Sequence, residues 1–229
     1  MKMISVILSV FFCVNAFAAA SGVFVLVRGK VFIENLKKEV VPAKVQSVIH
    51  PGETVWSEAD GKAKIVMSDR NVINILPNTK LKLEVYTNEP GNKNVELHIL
   101  QGKTRLDVKE KYDGKATKFE IKSNVAVAGV RGTEFIFEHD PQSTKHGTNV
   151  STVTVLSGKV QVDRIGTLKD ILGFGVNGKV VVNEGQQLEV RKGAPGKVET
   201  LKTKALEQLK ADTDIAAEED SKTDSGTNN

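Results

Sequence analysis

The sequence contains little cysteine and few aromatic residues: one cysteine, one tryptophan and two tyrosines among 229 residues. Its only cysteine, Cys13, lies in an apolar segment near the N-terminus, so the rest of the chain has no disulfide, cysteine metal site or cysteine nucleophile. After that segment no stretch approaches the ~20 apolar residues that span a bilayer, so no transmembrane span is expected. Basic residues form no run with interleaved aromatics, which argues against binding of nucleic acid.

The first 18 residues have the features of a secretory signal peptide. Lys2 supplies a positive charge, residues 4–14 are apolar, and Ala16-Phe17-Ala18 forms an A-x-A cleavage site. We therefore expect cleavage after residue 18 and a periplasmic or secreted protein.

Charge is distributed unevenly along the sequence. Residues 203–229 contain three basic and seven acidic side chains, so the excess of basic residues lies in residues 19–202. These lysines stand singly at turns and at alternate positions, which is typical of a solvated β surface. The basic body and Trp56, the only tryptophan, leave binding of an envelope polysaccharide or peptidoglycan as an alternative function.

Most of the sequence consists of short runs that alternate apolar and polar residues, separated by turn residues, which indicates β-strands. Pairs of such runs are interpreted as hairpins, with turns at Arg28–Gly29, Ser68–Asn71, Asn88–Asn94, Ser157–Gly158 and Asn177–Gly178. A Gly-Lys pair recurs, unevenly spaced, at Gly29, Gly61, Gly102, Gly158 and Gly178. This echo favours an all-β, solenoid-like stack of strand–turn–strand units, with a β-sandwich as the alternative.

Helical spacing occurs only near the C-terminus, where Val198, Leu201, Ala205 and Leu209 share one face. The predicted organisation is a signal peptide (1–18), one β domain (19–197), a C-terminal helix (198–212) and a disordered acidic tail (213–229). We expect the helix to cap the C-terminal end of the stack. The N-terminal strands over residues 23–33, or a lateral edge, are then left as a partner surface.

The segment NVAVAGVRGTEFIFEHD breaks its own alternation at an arginine between two glycines. Gly129 and Gly132 permit a bulge or a positive φ that a β-branched residue could not adopt. Arg131 is left beside this corner, where it binds carbonyl oxygens or a carboxylate such as Glu134, or alternatively binds an anion or a partner. Thr133 can form local hydrogen bonds.

Apparent catalytic and metal-binding motifs lack the context that their chemistry requires. Gly173–Gly178 reads G-x-G-x-x-G, but a strand-like run follows it where a dinucleotide site needs a helix. Ser157 has no nucleophile-elbow sequence around it. His139 and His146 match no zinc spacing and are interpreted as parts of a solvated loop. The sequence therefore predicts neither an enzyme, nor a cofactor, nor a metal.

Five segments follow one another between Gly22 and Val190: VRGKVFIEN, IHPGETVWSEADGKAKIVMSDRNVINILPNTKLKLE, VELHILQGKTRLDV, FEIKSNVAVAGVRGTEFIFE and TVTVLSGKVQVD. In this order they resemble the FecR domain of bacterial envelope proteins. The most specific part is Val127–Phe135, which is similar to an A-x-V-x-G-V-R-G-T-x-F-x-V motif. The resemblance implies a solenoid-like stack of short strands.

Regulators of this family pass a signal from an outer-membrane transporter to a cytoplasmic sigma factor, through an anti-sigma segment, a membrane span and an exported FecR domain. Because a cleavable signal is predicted here in place of the first two parts, direct sigma-factor control is not expected. The resemblance implies a non-catalytic module for protein interaction, sensing or scaffolding, with a protein partner in the cell envelope. The candidates for structural or partner contacts are Gly129, Arg131, Gly132, Thr133 and Trp56.

Overall fold

The computed structural model describes residues 20–109, 112, 117–165, 179–192 and 197–215. The predicted signal peptide, the Gly173–Gly178 segment and residues 216–229 therefore lie outside the described residues. The described chain consists of strands and one short helix, which confirms the predicted all-β class. The elements are β1 (Gly22–Arg28), β2 (Val31–Glu34), β3 (Val40–Pro42), β4 (Val48–Ile49), β5 (Thr54–Ser57), β6 (Lys62–Met67), β7 (Val72–Ile75), β8 (Lys80–Glu89), β9 (Asn92–Val108), β10 (Thr117–Lys122), β11 (Ala126–Val130), β12 (Thr133–Ser143), β13 (Thr148–Ser157), β14 (Lys159–Arg164), β15 (Val180–Asn183), β16 (Gln186–Arg191), β17 (Lys197–Thr200) and α1 (Thr203–Thr213).

The strands form two sheets that share β9. The first sheet has the order β4-β1-β6-β7-β9-β12-β13-β16-β17 and uses the C-terminal half of β9. The second sheet has the order β3-β2-β5-β8-β9-β10-β11-β14-β15 and uses the N-terminal half. The β9–β10 pair is parallel, and the other described pairs are antiparallel.

One hydrophobic core lies between the two sheets. In β6, for example, Ala63, Ile65 and Met67 are buried, while Lys64 and Val66 between them are partly exposed. The first sheet also contributes Phe135 and Phe137, and the second contributes side chains such as Leu97, Ile121 and Val160. Alternation with a period of two therefore places one apolar face of each sheet against the other.

The chain passes repeatedly from one sheet to the other, and most of these crossings contain a residue with positive φ. Examples are Gly29, Gly102, Gly132, Gly158 and Gly185, with φ between 58° and 89°. The Gly-Lys pairs at positions 29, 61, 102 and 158 all lie at crossings. The recurring pair therefore marks the corners of a two-sided stack, and the face-to-face packing of the β-sandwich alternative is present as well.

Two of the predicted hairpins are wrong because the chain crosses between the sheets at their turns. The turns at Ser68–Asn71 and Asn88–Asn94 do join paired strands, namely β6 to β7 and β8 to β9. At Arg28–Gly29 and Ser157–Gly158, however, the chain leaves one sheet and enters the other. The turn at Asn177–Gly178 lies outside the described residues.

The C-terminal segment differs from the prediction in its bounds and in its position. Residues 197–200 form β17 on the edge of the first sheet, where Val198 pairs with Leu188, and α1 begins only at Thr203. Leu209 and Ile136 line the same cavity, so α1 lies over the outer face of the first sheet and does not cap the stack. Thr213 and Ile215, assigned to the tail, are buried in the structure, at 2% and 1% exposed.

Within the part of the chain that the structure describes, no helix has both the length and the apolar character that crossing a membrane requires.

Candidate functional site

The predicted corner is the crossing from β11 in the second sheet to β12 in the first. Gly132 has a φ of +59°, in the left-handed region that residues with a Cβ avoid. The Thr133 hydroxyl is buried and donates to the Lys159 carbonyl at 2.9 Å, with the Arg131 carbonyl at 3.3 Å. Gly132 and Thr133 therefore both fix the backbone of the corner: Gly132 by its left-handed conformation, and Thr133 by its hydrogen bond to β14.

Gly129 does not have the special geometry that the sequence predicted. It lies within β11 and keeps regular register with Glu120 on one side and Gln161 on the other. The inward residues of β11 are Ala126, Ala128 and Val130, so no bulge is needed to bury Val130. The sequence was misleading because alanines occupy core-facing positions of β11, whereas the more apolar valines beside them suggested that the opposite set of alternate residues faces the core.

Arg131 does not bind the carboxylate that the sequence suggested. The Glu134 carboxylate accepts hydrogen bonds from Arg105 Nε and Nη2, at 2.9 and 2.6 Å. Arg105 also donates to the Lys210 carbonyl at 2.8 Å, so it links β9, β12 and the C-terminal turn of α1. Arg131 itself is exposed and makes no side-chain hydrogen bond or ion pair with the part of the chain that the structure describes.

Trp56 lies on the outer face of the second sheet, partly exposed, opposite Phe32 of β2. The two rings are stacked, with centroids 4.4 Å apart and an interplanar angle of 21°. One face of the indole is therefore covered by the phenyl ring. The pair stabilises the β2–β5 contact and leaves the remainder of the indole as a partly exposed aromatic surface.

Exposed apolar side chains are concentrated at the N-terminal edge, which we define as β1, β3, β4 and the loops beside them. Most of the exposed large apolar residues of the described chain lie here: Val23, Val25, Leu36, Val40, Val41, Val45 and Val48, which are 37–71% exposed. Within the described residues, β3 pairs only with β2 and β4 pairs only with β1. These strands therefore end both sheets on one side of the molecule.

His139 is not in a solvated loop, contrary to the sequence interpretation. It lies in β12, is 1% exposed, and its Nδ1 is 3.0 Å from the Val150 carbonyl and 2.9 Å from Ser151 Oγ. Because the carbonyl can only accept, we place the proton on Nδ1; Nε2 has no partner among the described residues. Burial lowers the pKa of His139, so the imidazole is neutral. His146 faces Glu189, with Nε2 3.6 Å from the Glu189 carboxylate.

A buried polar network, which the sequence analysis did not detect, fixes Tyr112 over the β6–β7 turn. The Tyr112 hydroxyl donates to Asp69 Oδ2 at 2.6 Å and accepts from Asn71 Nδ2 at 2.7 Å. Burial raises the pKa of Tyr112, and of Tyr86 beside it to about 12. Both phenols therefore stay protonated at physiological pH and act as hydrogen-bonding groups. The turn residues Ser68–Asn71 were the only sequence signal for this network.

No group of three or more histidine, cysteine or acidic side chains in the described ranges is placed to hold a metal ion.

Comparison with known proteins shows that part of this chain matches a protein family. The FecR protein family matches residues 53–161, which extend from the start of β5 into β14. No curated protein matches the chain. Two solved structures of a protein from Parabacteroides distasonis, provisionally described as an anti-sigma factor, are similar at 14% and 15% identity, with TM-scores of 0.49 and 0.48.

These alignments cover 68% and 66% of this chain, and 63% and 61% of the solved chains. The chain thus spans less than two thirds of the length of those structures. The family match is narrower than the Gly22–Val190 stretch of the predicted resemblance, but it includes the specific Val127–Phe135 segment. The predicted resemblance is confirmed: the FecR family model matches residues 53–161, which are just under half of the chain.

Proposed function

We propose that this protein is an exported, non-catalytic module of the bacterial cell envelope that senses or scaffolds by binding a protein partner. The FecR domain supports a regulatory or sensory role. The signal-like residues 1–18 support export. The partner is bound at the N-terminal edge, and it contributes an extended strand.

The exposed valines of the N-terminal edge carry this proposal. Val40 and Val41 of β3 are 49% and 48% exposed, and Val48 of β4 is 40% exposed. Edge strands with unpaired backbone groups attract another strand unless charge or proline protects them, and here only Pro42 limits the pairing of β3. Addition of a partner strand would pair these backbone groups and bury the valines.

Site-specific photo-crosslinking tests the surface. A photoreactive residue at Val41 should link the protein to a defined partner in the native host, whereas the same residue at Val198 should not. Val198 is a matched control because it is an exposed valine on β17, the edge strand at the end of the first sheet opposite to β4 and therefore away from the N-terminal edge.

Binding of the purified partner provides the decisive measurement. Val41→Lys should abolish this binding and leave the unfolding midpoint nearly unchanged, because the side chain is already exposed. Equal crosslinking at both positions, or full binding by Val41→Lys, would show that the N-terminal edge is not the partner surface.

Export is tested separately by cell fractionation and N-terminal sequencing of the purified protein. We expect a periplasmic or secreted product that begins at Ala19. A product that stays in the cytoplasm with residues 1–18 attached would contradict the export part of the proposal and leave the binding surface as a separate question.

The Trp56–Phe32 stack favours one second candidate, an envelope polysaccharide- or peptidoglycan-binding module. Partly exposed aromatic rings offer a surface on which sugar rings can pack. Sedimentation with purified cell-wall sacculi, compared between the wild type and Trp56→Ala, tests this candidate. Sedimentation that is absent, or that is equal for the two proteins, would rule out sugar binding at Trp56.

A further inference from the structure

Three basic residues lie side by side on the outer face of the second sheet, and we call them the cation row: Lys118, Arg131 and Lys159. The register pairs Glu120 with Gly129 and Val130 with Val160. Continued by one step beyond the end of β11, this register places Arg131 between Lys118 and Lys159. Their neighbours Phe119, Val130 and Val160 are buried in the core, so the three cations project outwards.

The corner described above fixes the backbone of two of these residues. The Thr133 hydroxyl lies 2.9 Å from the Lys159 carbonyl and 3.3 Å from the Arg131 carbonyl. One buried side chain thus holds both positions in place. The two cationic side chains start from neighbouring backbone positions that share one hydrogen-bonding partner.

Only one member of the cation row is neutralised. Lys118 is 3.2 Å from Glu96 and 3.0 Å from Glu120, and its hydrogen bond to Glu120 raises its pKa. Arg131 and Lys159 are exposed and have no acidic partner within the described residues. Like charges that face each other across strands are destabilising, so this pair does not stabilise the free protein.

A hollow adjoins the cation row where Gly129 has no side chain. A Cβ at Gly129 would meet only the Gln161 carbonyl oxygen, 3.9 Å away, so the space above the strand is open. The hollow belongs to a groove of about 440 Å³. Val181, which is 50% exposed, forms an apolar wall, and the Gln161 side chain adds an amide at the rim. Glu120 also lines the groove, opposite Gly129. Its charge is paired with that of Lys118 at 3.0 Å, which leaves Arg131 and Lys159 as the unpaired charges among the described residues of the groove.

We propose that this groove binds a carboxylate side chain of an extended, acidic peptide segment of a partner protein. The planar guanidinium of Arg131 and the ammonium of Lys159 supply donors to the carboxylate oxygens. The hollow at Gly129 accepts the stem of the acidic side chain, and an apolar residue of the same segment packs on Val181. The groove shares no residue with the N-terminal edge, so this inference does not depend on that surface.

Fluorescence anisotropy with a labelled hexapeptide of alternating glutamate and valine tests the site. Binding to the wild-type protein should be saturable and should weaken as salt is added, because the charges are exposed. The matched peptide of alternating glutamine and valine should bind at least about tenfold more weakly, since its amides make no charge-assisted hydrogen bonds. Equal affinity for the two peptides would refute recognition of a carboxylate.

Substitutions locate the binding. Arg131→Gln and Lys159→Gln should each weaken binding about tenfold, and Gly129→Leu should block it by filling the hollow. Lys64→Gln, which removes a positive charge from the outer face of the first sheet, should bind as the wild type does. If Lys64→Gln weakens binding as much as Arg131→Gln does, the attraction is nonspecific and the site is wrong. Displacement by an equal concentration of inorganic phosphate would show a general anion site in place of a peptide site.

The unfolding midpoint separates this proposal from a structural role of the arginine. Removal of one cation from a like-charged pair should leave the midpoint of Arg131→Gln or Lys159→Gln unchanged or raised, most clearly at low salt. A lowered midpoint for Arg131→Gln together with unchanged peptide binding would show that the arginine serves the fold.

Discussion

Replacement of Gly132 isolates the energetic cost of a left-handed corner in this fold. Gly132 has a φ of +59°, and a Cβ there would have no atom within 4 Å. An added Cβ therefore makes no steric contact with neighbouring residues, and the change in the free energy of unfolding on replacement by alanine comes from the backbone of the residue itself. A left-handed conformation costs an L-residue about 1–2 kcal/mol.

We expect Gly132→Ala to lower the free energy of unfolding by about 1 kcal/mol and Gly132→Val by about 2 kcal/mol, because a β-branched side chain fits this region least well. In a domain of this size, each 1 kcal/mol lowers the thermal midpoint by about 2–4 °C. Differential scanning calorimetry should thus place the midpoint of the valine variant about 4–8 °C below that of the wild type.

Two controls test whether backbone conformation is the cause. Gly132→Asn should change the free energy of unfolding by less than ~0.5 kcal/mol, because asparagine tolerates the left-handed region. Gly129→Ala should have an equally small effect, since Gly129 lies in a regular strand with open space around it. If the asparagine and valine variants are destabilised equally, or if the valine variant melts with the wild type, the corner does not depend on a left-handed residue.

Three further predictions concern the first sheet and its C-terminal cover. Arg105→Ala should cost about 1.5–3 kcal/mol and speed proteolysis within α1, because charged hydrogen bonds to Glu134 and to the helix are lost; unchanged protection of α1 would contradict the link. Ending the chain at Asp212 should destabilise it by about 1.5–3 kcal/mol relative to a chain that ends at Ile215, since the Ile215 side chain is buried; equal midpoints would show that this burial is unimportant. Because burial lowers the pKa of His139 from 6.5, the unfolded chain binds a proton more readily, and stability should fall as the pH drops below about 6.5. His139→Gln should flatten this part of the stability–pH curve, and an unaltered curve would exclude His139 as its source.

The sequence predicted individual strands better than it predicted their partners. Alternation defined β6, β8 and the start of β9, because each of these segments has one buried face. The glycine turns were harder to interpret. A short turn that returns the chain to its neighbour and one that carries it to the opposite sheet use the same residues and the same positive φ. Which of the two occurs depends on long-range packing of the core, and local sequence does not contain that information.

The candidate site shows the same limit in its side chains. Arg131 was identified because it stands between two glycines, but the residue that binds Glu134 is Arg105, 29 positions away. Lys159 was one of many scattered lysines until the register of β11 with β14 placed it opposite Arg131. The Asp69–Tyr112 hydrogen bond likewise joins residues 43 positions apart. Contacts of this kind follow from the strand order, which no local pattern shows.

The position of α1, by contrast, is indicated by apolar residues in the sequence of the first sheet. Phe135, Ile136 and Phe137 are consecutive apolar residues within β12, and alternation predicts that the middle one faces away from the core. Ile136 is nevertheless only 3% exposed, as is required when both faces of a strand are covered. Leu156 in β13 is a second outward apolar residue, and it is 1% exposed. Runs that break alternation in this way indicate that the outer face of the first sheet needs a cover, which the C-terminal segment supplies.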